Sequence, residues 1–354
     1  MTGGLTGAAP AGPMPGMDAP CLLLLGCGAF GRVHLAALAS LGLADRVLGW
    51  DPDPASRAAL PGLRFAGSLE AGLAECGAAI IATPVPSHVP LAGAVLRAGR
   101  HLFLEKPATE TAAEAASLAA LAGAAGVVAH VGLYFRCHPK AQALRRMVAA
   151  GEFGPLHYLA ARFSGLKRAR GDSGALLNDA VHFADLLPWL AGEYPSAVFA
   201  QAADPLGRGR EDFALIQLRF PSGLIGLIES GCVLPGRWPD AVVPGAETRK
   251  EVLLAGRDAL AEVDFAAEEL VLRRGRHQPA AGGAWLPGHA PREVLPIPAA
   301  DPVQVVAAEL RGFLDAIAGR GDAGPGLWEG GVLPLRLLDA ARRSAQLGQV
   351  VEIC

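Results

Sequence analysis

Apolar positions in the first part of the chain alternate between short unbroken runs and longer stretches with helical spacing. Residues 22–25 are four consecutive leucines, and 32–41 carry apolar residues at helical intervals. A short apolar run bounded by glycine is typical of a strand buried on both faces of a parallel sheet. The same alternation predicts strands at 47–50, 78–83, 101–104 and 127–131, and helices at 90–98 and 112–125.

Strands that alternate with helices imply right-handed crossovers and a doubly wound parallel sheet. After about Pro139 the pattern changes to longer strands of alternating polar and apolar residues, and Pro221-Ser222-Gly223 has the turn chemistry of a hairpin. This second pattern predicts a large, mainly antiparallel, open-faced sheet with helices on one face. Its strands are expected at 156–163, 197–201, 212–220, 224–230, 251–255, 259–265 and 269–273.

The two patterns divide the chain into an α/β Rossmann domain followed by an α+β domain. Residues 1–19 are rich in Gly, Ala and Pro and are predicted to be a flexible tail. The nucleotide-binding domain is expected at 20–138, and a domain for substrate binding and oligomerisation at 139–354.

The end of the second domain has its own features. Gly and Pro at 279–298 indicate a long flexible excursion, and closing helices are expected at 301–318 and 333–347, with the last helices packing back on the first domain. An open apolar sheet face is usually covered by another subunit. We therefore expect a homodimer or homotetramer formed through the second-domain sheet.

The first apolar run leads directly into a glycine-rich turn. Gly26-Cys27-Gly28-Ala29-Phe30-Gly31 fits the pattern G-x-G-x-x-G. In that pattern Gly26 allows a tight turn, Gly28 lets the backbone approach a pyrophosphate, and Gly31 lets the helix pack closely on the strand. The amides of the helix N-terminus, at Ala29 and Phe30, then face the anion. The turn predicts a site for a nicotinamide dinucleotide.

Asp51 follows the second predicted strand, twenty residues after Gly31. A carboxylate at this position accepts hydrogen bonds from both ribose hydroxyls of adenosine and repels a 2′-phosphate, which favours NAD over NADP. Two alternatives stay open. Asp51 lies in Asp-Pro-Asp-Pro and could merely start a turn and cap the helix near Ala55, and Arg57 could bind a 2′-phosphate.

Two further loops follow strand ends, where ligands bind in such sheets. The first runs from Thr83 and Pro84 to His88, and the second is Glu105-Lys106-Pro107. Thr83, Pro84, His88, Glu105 and Lys106 are therefore candidate cofactor contacts. For His88 the alternative is simple packing against its loop.

The order of these motifs resembles the Gfo/Idh/MocA family of NAD(P)-dependent sugar and inositol oxidoreductases. The resemblance rests on G-x-G-x-x-G, the aspartate after strand two, Glu-Lys-Pro, and the helix pattern with its histidine in SGALLNDAVHFADLLPWL, residues 173–190. The segments at 131–163 and 218–230 and the C-terminal helices also resemble the family. The similarity extends over essentially 21–353.

The resemblance implies that Lys106 and His182 are the catalytic pair. The chemistry agrees, because oxidation of a secondary alcohol needs a base for the hydroxyl proton while hydride leaves for the nicotinamide. A histidine that titrates near neutrality suits the proton, and an ammonium stabilises the developing alkoxide. The alternatives are a buried helix histidine and a surface lysine.

One position departs from the family pattern. The family has an aspartate four residues before the histidine, whereas this chain has Asn178 there and Asp179 one residue later. Residues three and four positions apart are neighbours on a helix, so Asp179 is retained as a catalytic candidate and Asn178 as a substrate contact. Asp185 matches a later family aspartate, with a structural role expected.

Three other side chains are candidate substrate contacts. Tyr134 and Arg136 lie in the segment that enters the cleft in relatives. Trp238 has a ring able to stack on a sugar face, although a proline-rich loop also uses Trp as a plug.

Composition removes several classes of partner. A net charge of −3, a pI near 6.3 and dispersed Lys and Arg argue against nucleic acid, and no apolar run approaches the length of a membrane span. The six cysteines are far apart and show no metal-binding spacing, which indicates no metal and a reducing, cytoplasmic setting.

We therefore expect an NAD-linked oxidoreductase, with NADP as a further option, that acts on a ring hydroxyl or ketone of a sugar, cyclitol or nucleotide-activated sugar. The alternatives are an NADPH-dependent keto-sugar reductase and a sugar- or cofactor-sensing protein that has lost turnover.

Overall fold

The computed structural model describes residues 20–241, 243–321 and 324–353, which form two compact units. The first unit contains residues 20–137 and Asp301–Arg336, and the second contains His138–Ala300 and 337–353. The predicted tail at 1–19 lies outside the described residues. The sequence prediction assigned 139–354 to the second domain and expected its last helices to pack back on the first, and the structure places Asp301–Arg336 within the first unit.

Strands and helices are numbered in chain order. The strands are β1 (Leu22–Leu25), β2 (Val47–Trp50), β3 (Ala78–Ile81), β4 (His101–Glu105), β5 (Ala129–Gly132), β6 (Leu156–Ser164), β7 (Ala197–Ala203), β8 (Phe213–Arg219), β9 (Ile225–Gly231), β10 (Trp238–Pro239), β11 (Glu247–Gly256), β12 (Ala259–Asp264), β13 (Leu270–Pro279), β14 (Trp285–His289), β15 (Glu293–Leu295) and β16 (Val351–Glu352). The α-helices are α1 (Ala29–Ser40), α2 (Pro54–Ala58), α3 (Leu69–Glu75), α4 (His88–Arg97), α5 (Ala112–Ala125), α6 (Tyr134–Cys137), α7 (Pro139–Ala149), α8 (Val181–Ala191), α9 (Pro302–Ile317) and α10 (Leu333–Leu347). Two π-helical turns, Leu176–Ala180 and Leu327–Val332, precede α8 and α10.

The first unit is a doubly wound parallel sheet, which confirms the predicted fold class. Over the described residues its strand order is β2-β1-β3-β4-β5. Leu22 and Leu24 of β1 pack with α1 and α9, whereas Leu23 and Leu25 pack with α4 and α5. Because successive residues of a strand point to opposite faces, a continuous leucine run buries both faces of the sheet.

Helix α9 completes one face of the first unit. Asp301 caps it by accepting the Val303 amide at 2.9 Å, and Pro302 occupies the first turn. The helix buries Val306, Leu310 and Phe313 against the core of β1, β3 and α1. Residues near the end of the chain are thus part of the nucleotide-binding fold.

The second unit is built on a large, mainly antiparallel sheet, as predicted. In the described part of the chain its strands run β14-β13-β12-β11-β6-β9-β8-β7-β16, with β10 beside β11 and β15 beside β13. Only the pairing of β6 with β9 is parallel within this described order. The hairpin predicted at 221–223 joins β8 to β9. Helix α8 packs on β6 and β9.

The predicted flexible excursion at 279–298 was wrong, because this segment contains β14 and β15, which both pair with β13. The glycines here form a tight turn at Ala281–Gly283, where Gly282 has φ +73°. Glycine composition therefore marks the turn between two strands rather than an absence of structure.

One pair of cysteines departs from the prediction that the six cysteines are unpaired. Cys21, just before β1, and Cys76, just after α3, are joined by a disulfide across 55 residues of sequence. Separation along the chain does not measure distance in the fold, so the prediction from spacing missed this pair.

Among the described helices, none combines the length and the apolar character that crossing a membrane requires.

Candidate functional site

The glycine turn between β1 and α1 has no room for side chains at two of its three glycines. Gly26 has φ +92°, and a Cβ there would lie 2.7 Å from the Ala82 carbonyl oxygen. A Cβ on Gly31 would collide with the carbonyl oxygen of Gly26. At Gly28, by contrast, no atom lies within 4 Å of the Cβ position. The turn therefore packs tightly against neighbouring backbone at Gly26 and Gly31 and faces open space at Gly28.

Helix α1 begins at this open side. Its N-cap is Gly28, which supplies no side chain to bind the first amides, and its first turn contains no acidic residue. The amides of Ala29, Phe30 and Gly31 have no intrahelical acceptor, because the first turn of any helix lacks carbonyls four residues earlier. Together with the helix dipole, they provide donors for an anion.

Asp51 lies beside the turn at the end of β2. Its carboxylate accepts the Cys27 amide at 2.7 Å and the Asp53 amide at 2.9 Å. Asp53, not Asp51, caps α2 by accepting the amides of Ala55 and Ser56. Asp51 therefore starts a turn, as its alternative held, but the expectation that it caps the helix was wrong. Each oxygen of Asp51 has a further lone pair beyond the bond described here.

The charge of Asp51 also acts on the turn itself. Burial, followed by the neighbouring Asp51 carboxylate, raises the pKa of the Cys27 thiol to about 11. This thiol stays protonated at neutral pH, so it is not a nucleophile. Arg57 lies on α2 and is exposed.

The two loops at the carboxyl edge of the sheet are tied together by His88. Its Nε2 lies 2.9 Å from the Thr83 carbonyl oxygen, and its Nδ1 lies 3.0 Å from that of Pro107. Burial lowers the pKa of His88. Because both ring nitrogens face backbone carbonyls, this geometry supports the packing alternative for His88.

Thr83 is itself held by a neighbour, since the Ser87 hydroxyl lies 2.7 Å from its Oγ1 and 2.7 Å from the Pro84 carbonyl oxygen. The first edge loop is therefore fixed by its own hydrogen bonds, with Pro84 at its start.

Strand β4 ends at Glu105, and Lys106 follows it in the second edge loop. The Glu105 carboxylate is buried and lies 2.8 Å from Nε2 of His34 on α1, and its other oxygen accepts the Lys106 amide at 3.2 Å. Lys106 is half-buried. The sequence analysis missed His34, whose only signal was its place on the apolar face of α1 with Gly31, Ala37 and Leu38.

Tyr134 and Arg136 lie on the short helix α6, which packs against α9 within the first unit. Both are half-buried. The first unit thus contains the glycine turn, Asp51, the two edge loops, Lys106 and these two side chains.

In the second unit, His182 lies in the first turn of α8, immediately after a π-helical turn. It is buried, with its ring centroid 5.4 Å from that of Phe163 on β6. Glu211 fixes the start of the π-helical turn, because its carboxylate accepts the Leu176 amide at 3.2 Å. π-helical turns are frequent at functional sites.

The departure from the family pattern involves a charged pair that the sequence did not reveal. Nζ of Lys167 lies 2.6 Å from Oδ1 of the buried Asp179, and the Asn178 side-chain amide donates to the same oxygen at 2.8 Å. The Asp179 side chain is thus bound by an ammonium and an amide. Lys167 lies beyond β6, where no motif marked it.

The Phe163 ring lies close to the lysines of two ion pairs, Lys167–Asp179 and Lys250–Asp240. Nζ of Lys167 lies 4.1 Å from the Phe163 ring centroid, and Nζ of Lys250 lies 5.1 Å from it. Lys250 in turn pairs with Asp240 at 2.8 Å. The second unit therefore presents two ammonium groups and an imidazole around one aromatic ring.

Trp238 lies on β10 in this unit, and its indole N–H donates to Oδ2 of Asp264 at 2.7 Å. This bond supports the plug alternative for Trp238. Asp185 is buried on α8.

The fold and the turn together define a dinucleotide-binding protein with a separate α+β domain. Residues 22–133 match the oxidoreductase family with an NAD-binding Rossmann fold, and residues 141–252 match the GFO/IDH/MocA C-terminal domain. The chain belongs to the Gfo/Idh/MocA family of oxidoreductases, and its first unit is an NAD-binding Rossmann domain.

Among curated relatives, the chain is 27% identical over 305 residues to the UDP-N-acetylglucosamine 3-dehydrogenase of Acidithiobacillus ferrooxidans, which covers 84% of this chain and 92% of that protein. It is 31% identical over 233 residues to the rhizopine catabolism protein MocA of Rhizobium meliloti, covering 60% and 71% of the two chains.

Among solved structures, GenD2 from gentamicin A biosynthesis, in complex with NAD, is 25% identical with a TM-score of 0.79, and the match covers 98% of this chain and 100% of that one. Levoglucosan dehydrogenase in complex with NADH and levoglucosan has a TM-score of 0.79 at 19% identity, covering 94% and 98% of the two chains. The second likeness shows the shared fold.

Proposed function

We propose that this protein transfers hydride between NAD and a ring hydroxyl or ketone of a sugar, a cyclitol or a nucleotide-activated sugar. The observation that carries the proposal is the position of Asp51 beside the glycine turn, within hydrogen-bond distance of the Cys27 amide. A carboxylate fixed there is suited to the adenosine ribose of NAD.

The residues present fit a dinucleotide. The open Gly28 and the first amides of α1 would hold its diphosphate, and Asp51 would accept from its ribose hydroxyls. Thr83, Pro84 and Lys106 at the carboxyl edge are its further proposed contacts. When bound, the nicotinamide ring supplies the hydride acceptor or donor.

For the chemistry, His182 takes the proton of the reacting hydroxyl, and the ammonium of Lys106 stabilises negative charge on its oxygen. Asp179 contributes a fixed charge rather than a proton, because Lys167 and Asn178 already bind its carboxylate. Tyr134 and Arg136 are the proposed substrate contacts of the first unit, and Asn178 that of the second.

The substrate class rests on the relatives, whose names describe a UDP-N-acetylglucosamine 3-dehydrogenase, a 1,5-anhydro-D-fructose reductase and inositol 2-dehydrogenases. All of these substrates carry hydroxyls or a ketone on a ring. A small polyhydroxylated molecule is therefore the proposed substrate of this chain.

The test is a fluorescence titration with NADH and NADPH on the wild type, Asp51→Ala and, as a matched control, Asp53→Ala. Asp53 is an exposed aspartate two residues away that caps α2. We expect tighter binding of NADH in the wild type and in Asp53→Ala, and loss of that discrimination in Asp51→Ala. Tighter NADPH binding in the wild type would favour the keto-sugar reductase, in which Arg57 binds the 2′-phosphate.

Turnover is then tested on a panel of sugars and cyclitols with Lys106→Met and His182→Asn. General acid-base groups contribute about 10²- to 10⁴-fold, so each variant should lose that much of kcat. Cofactor binding without any turnover by the wild type would favour the sensing protein.

We also propose a homodimer or homotetramer formed through the sheet of the second unit. Leu215, Leu227 and Leu253 are half-buried positions on its strands. Light scattering coupled to gel filtration measures the oligomeric state, and a monomer at micromolar concentration would exclude this assembly.

A further inference from the structure

A buried polar cluster lies in the core of the first unit, below the Lys106 loop. His34 is fully buried, and its ring makes edge contacts with Phe30 and Phe103 at centroid distances of 5.4 and 5.6 Å. Its Nε2 lies 2.8 Å from Oε1 of Glu105. A polar imidazole enclosed by aromatic rings is costly to bury unless it is hydrogen-bonded to a partner in good geometry.

The Glu105 oxygen that contacts His34 also lies close to strand β5. A Cβ on Gly132, its neighbour on β5, would lie 2.8 Å from Oε1 of Glu105. The absence of a side chain at Gly132 is therefore what admits the carboxylate. Its second oxygen accepts the backbone amide of Lys106 at 3.2 Å.

Glu309 on α9 is the third member of the cluster. It is buried, and burial followed by the nearby charge of Glu105 raises its pKa well above the ordinary value, while the Leu133 backbone hydrogen-bonds to it. Glu309 is therefore harder to ionise than an exposed glutamate, and the contact of His34 is with Glu105.

We propose that His34 and Glu105 form a positioning pair, in which His34 on the glycine-turn helix fixes Glu105 and Glu105 fixes the backbone of Lys106. One buried contact thereby fixes α1 relative to the Lys106 backbone. The N-terminus of α1 receives the cofactor, and Lys106 acts on the substrate. The role of Lys106 in turnover rests on the proposed function, whereas the fixing of its backbone does not.

The backbone claim is tested by hydrogen exchange at the Lys106 amide, measured by mass spectrometry with fragmentation. Pro107 has no amide, so Lys106 is well separated from the amides that follow it. The decisive variant is His34→Leu with Glu105→Met, because replacing both partners by apolar groups leaves no unpaired charge in the core. Glu105→Gln keeps an oxygen acceptor for the Lys106 amide and serves as the conservative rescue.

The matched control is His130→Leu, which removes a histidine buried in the same unit against Phe313, at a centroid distance of 5.5 Å. In the double variant we expect exchange at Lys106 to rise about tenfold, the equivalent of one lost hydrogen bond. Exchange should stay near the wild-type rate in Glu105→Gln and in His130→Leu. If the double variant does not fold, Glu105→Met alone is expected to give the same rise.

Unchanged exchange at Lys106 in a folded double variant, or in Glu105→Met, overturns the proposal. So does an equal rise in His130→Leu, because the effect would then be a general loosening of the core. Kinetics add a second readout: kcat should fall with the KM for NAD retained in the double variant, and Glu105→Gln should restore it. A wild-type protein without turnover would contradict the proposed function and leave the exchange result standing.

Discussion

Around the glycine turn of the first unit, the surface is backbone, because three positions carry no side chain. Around His182 in the second unit, the surface consists of charged and aromatic side chains held by one another. Gly31 is required by a carbonyl five residues away, whereas Asp179 binds Lys167, twelve residues away in the loop after β6. The glycine turn is encoded by a short sequence motif, whereas the surroundings of His182 depend on tertiary contacts.

The largest effect should come from breaking the charged pair of the second unit. Lys167→Met removes the ammonium that lies against the buried Asp179 carboxylate, and breaking a buried pair from one side costs about 3–5 kcal/mol. Urea unfolding measures the loss. The double variant Lys167→Met with Asp179→Asn removes both charges and should recover most of the stability. Equal losses in the single and double variants would show that the pair does not hold the site.

The glycine turn should separate stability from binding. Gly31→Ala forces α1 away from the Gly26 carbonyl, and such overpacking costs about 1–3 kcal/mol in urea unfolding. Gly28→Ala meets open space and should fold like the wild type, yet weaken NADH binding by about tenfold or more. A stable Gly31→Ala, or a Gly28→Ala protein that binds NADH normally, would remove the distinction between the two glycines.

His138 gives the second unit a pH dependence. It caps α7 by accepting the Lys140 amide, and burial lowers its pKa to about 3 from the ordinary 6.5. Between these two values the unfolded chain binds a proton that the folded chain does not, so stability falls as pH falls below about 6.5. At pH 5 the loss from this group is about 2 kcal/mol.

The matched variant is His138→Asn, since Asn is an effective N-cap that does not titrate. The difference in unfolding free energy between pH 7.5 and pH 5 should be smaller in His138→Asn than in the wild type. The same pH dependence in both proteins would place the titration elsewhere.

The smallest effect is expected at Trp238. Trp238→Phe keeps the apolar ring but loses the N–H that binds Asp264, which should cost about 1 kcal/mol. As a plug, Trp238 contributes nothing to substrate affinity, so the KM for the sugar should not change. A KM that rises in Trp238→Phe without loss of stability would instead support stacking on the substrate.

The sequence was a good guide wherever the pattern is local. The leucine run of β1, the close packing at Gly26 and Gly31 and the division into two folds follow from residues that are close along the chain. Lys167 was missed because its partner lies on a π-helical turn, and a register change of that kind leaves no spacing to recognise. Segment 279–298 was misjudged because glycine marks both tight turns and unstructured chain.

His34 shows the same limit inside the better-predicted unit. Its position on the apolar face of α1 indicated burial, but only the tertiary structure shows that Glu105, 71 residues away, is its partner. Likewise, the spacing of cysteines could not identify Cys21 and Cys76 as neighbours.

The contribution of α9 to the first unit has a consequence for synthesis on the ribosome. Ile317 ends that helix about 180 residues after Cys137, an interval of roughly 10–40 s at about 5–20 residues per second. During that time, the face of the nascent sheet that later receives Val306, Leu310 and Phe313 is still without them. Synthesis of the nucleotide-binding fold thus begins first but is completed only when α9 emerges. During that interval a chaperone can cover the exposed leucines of the sheet.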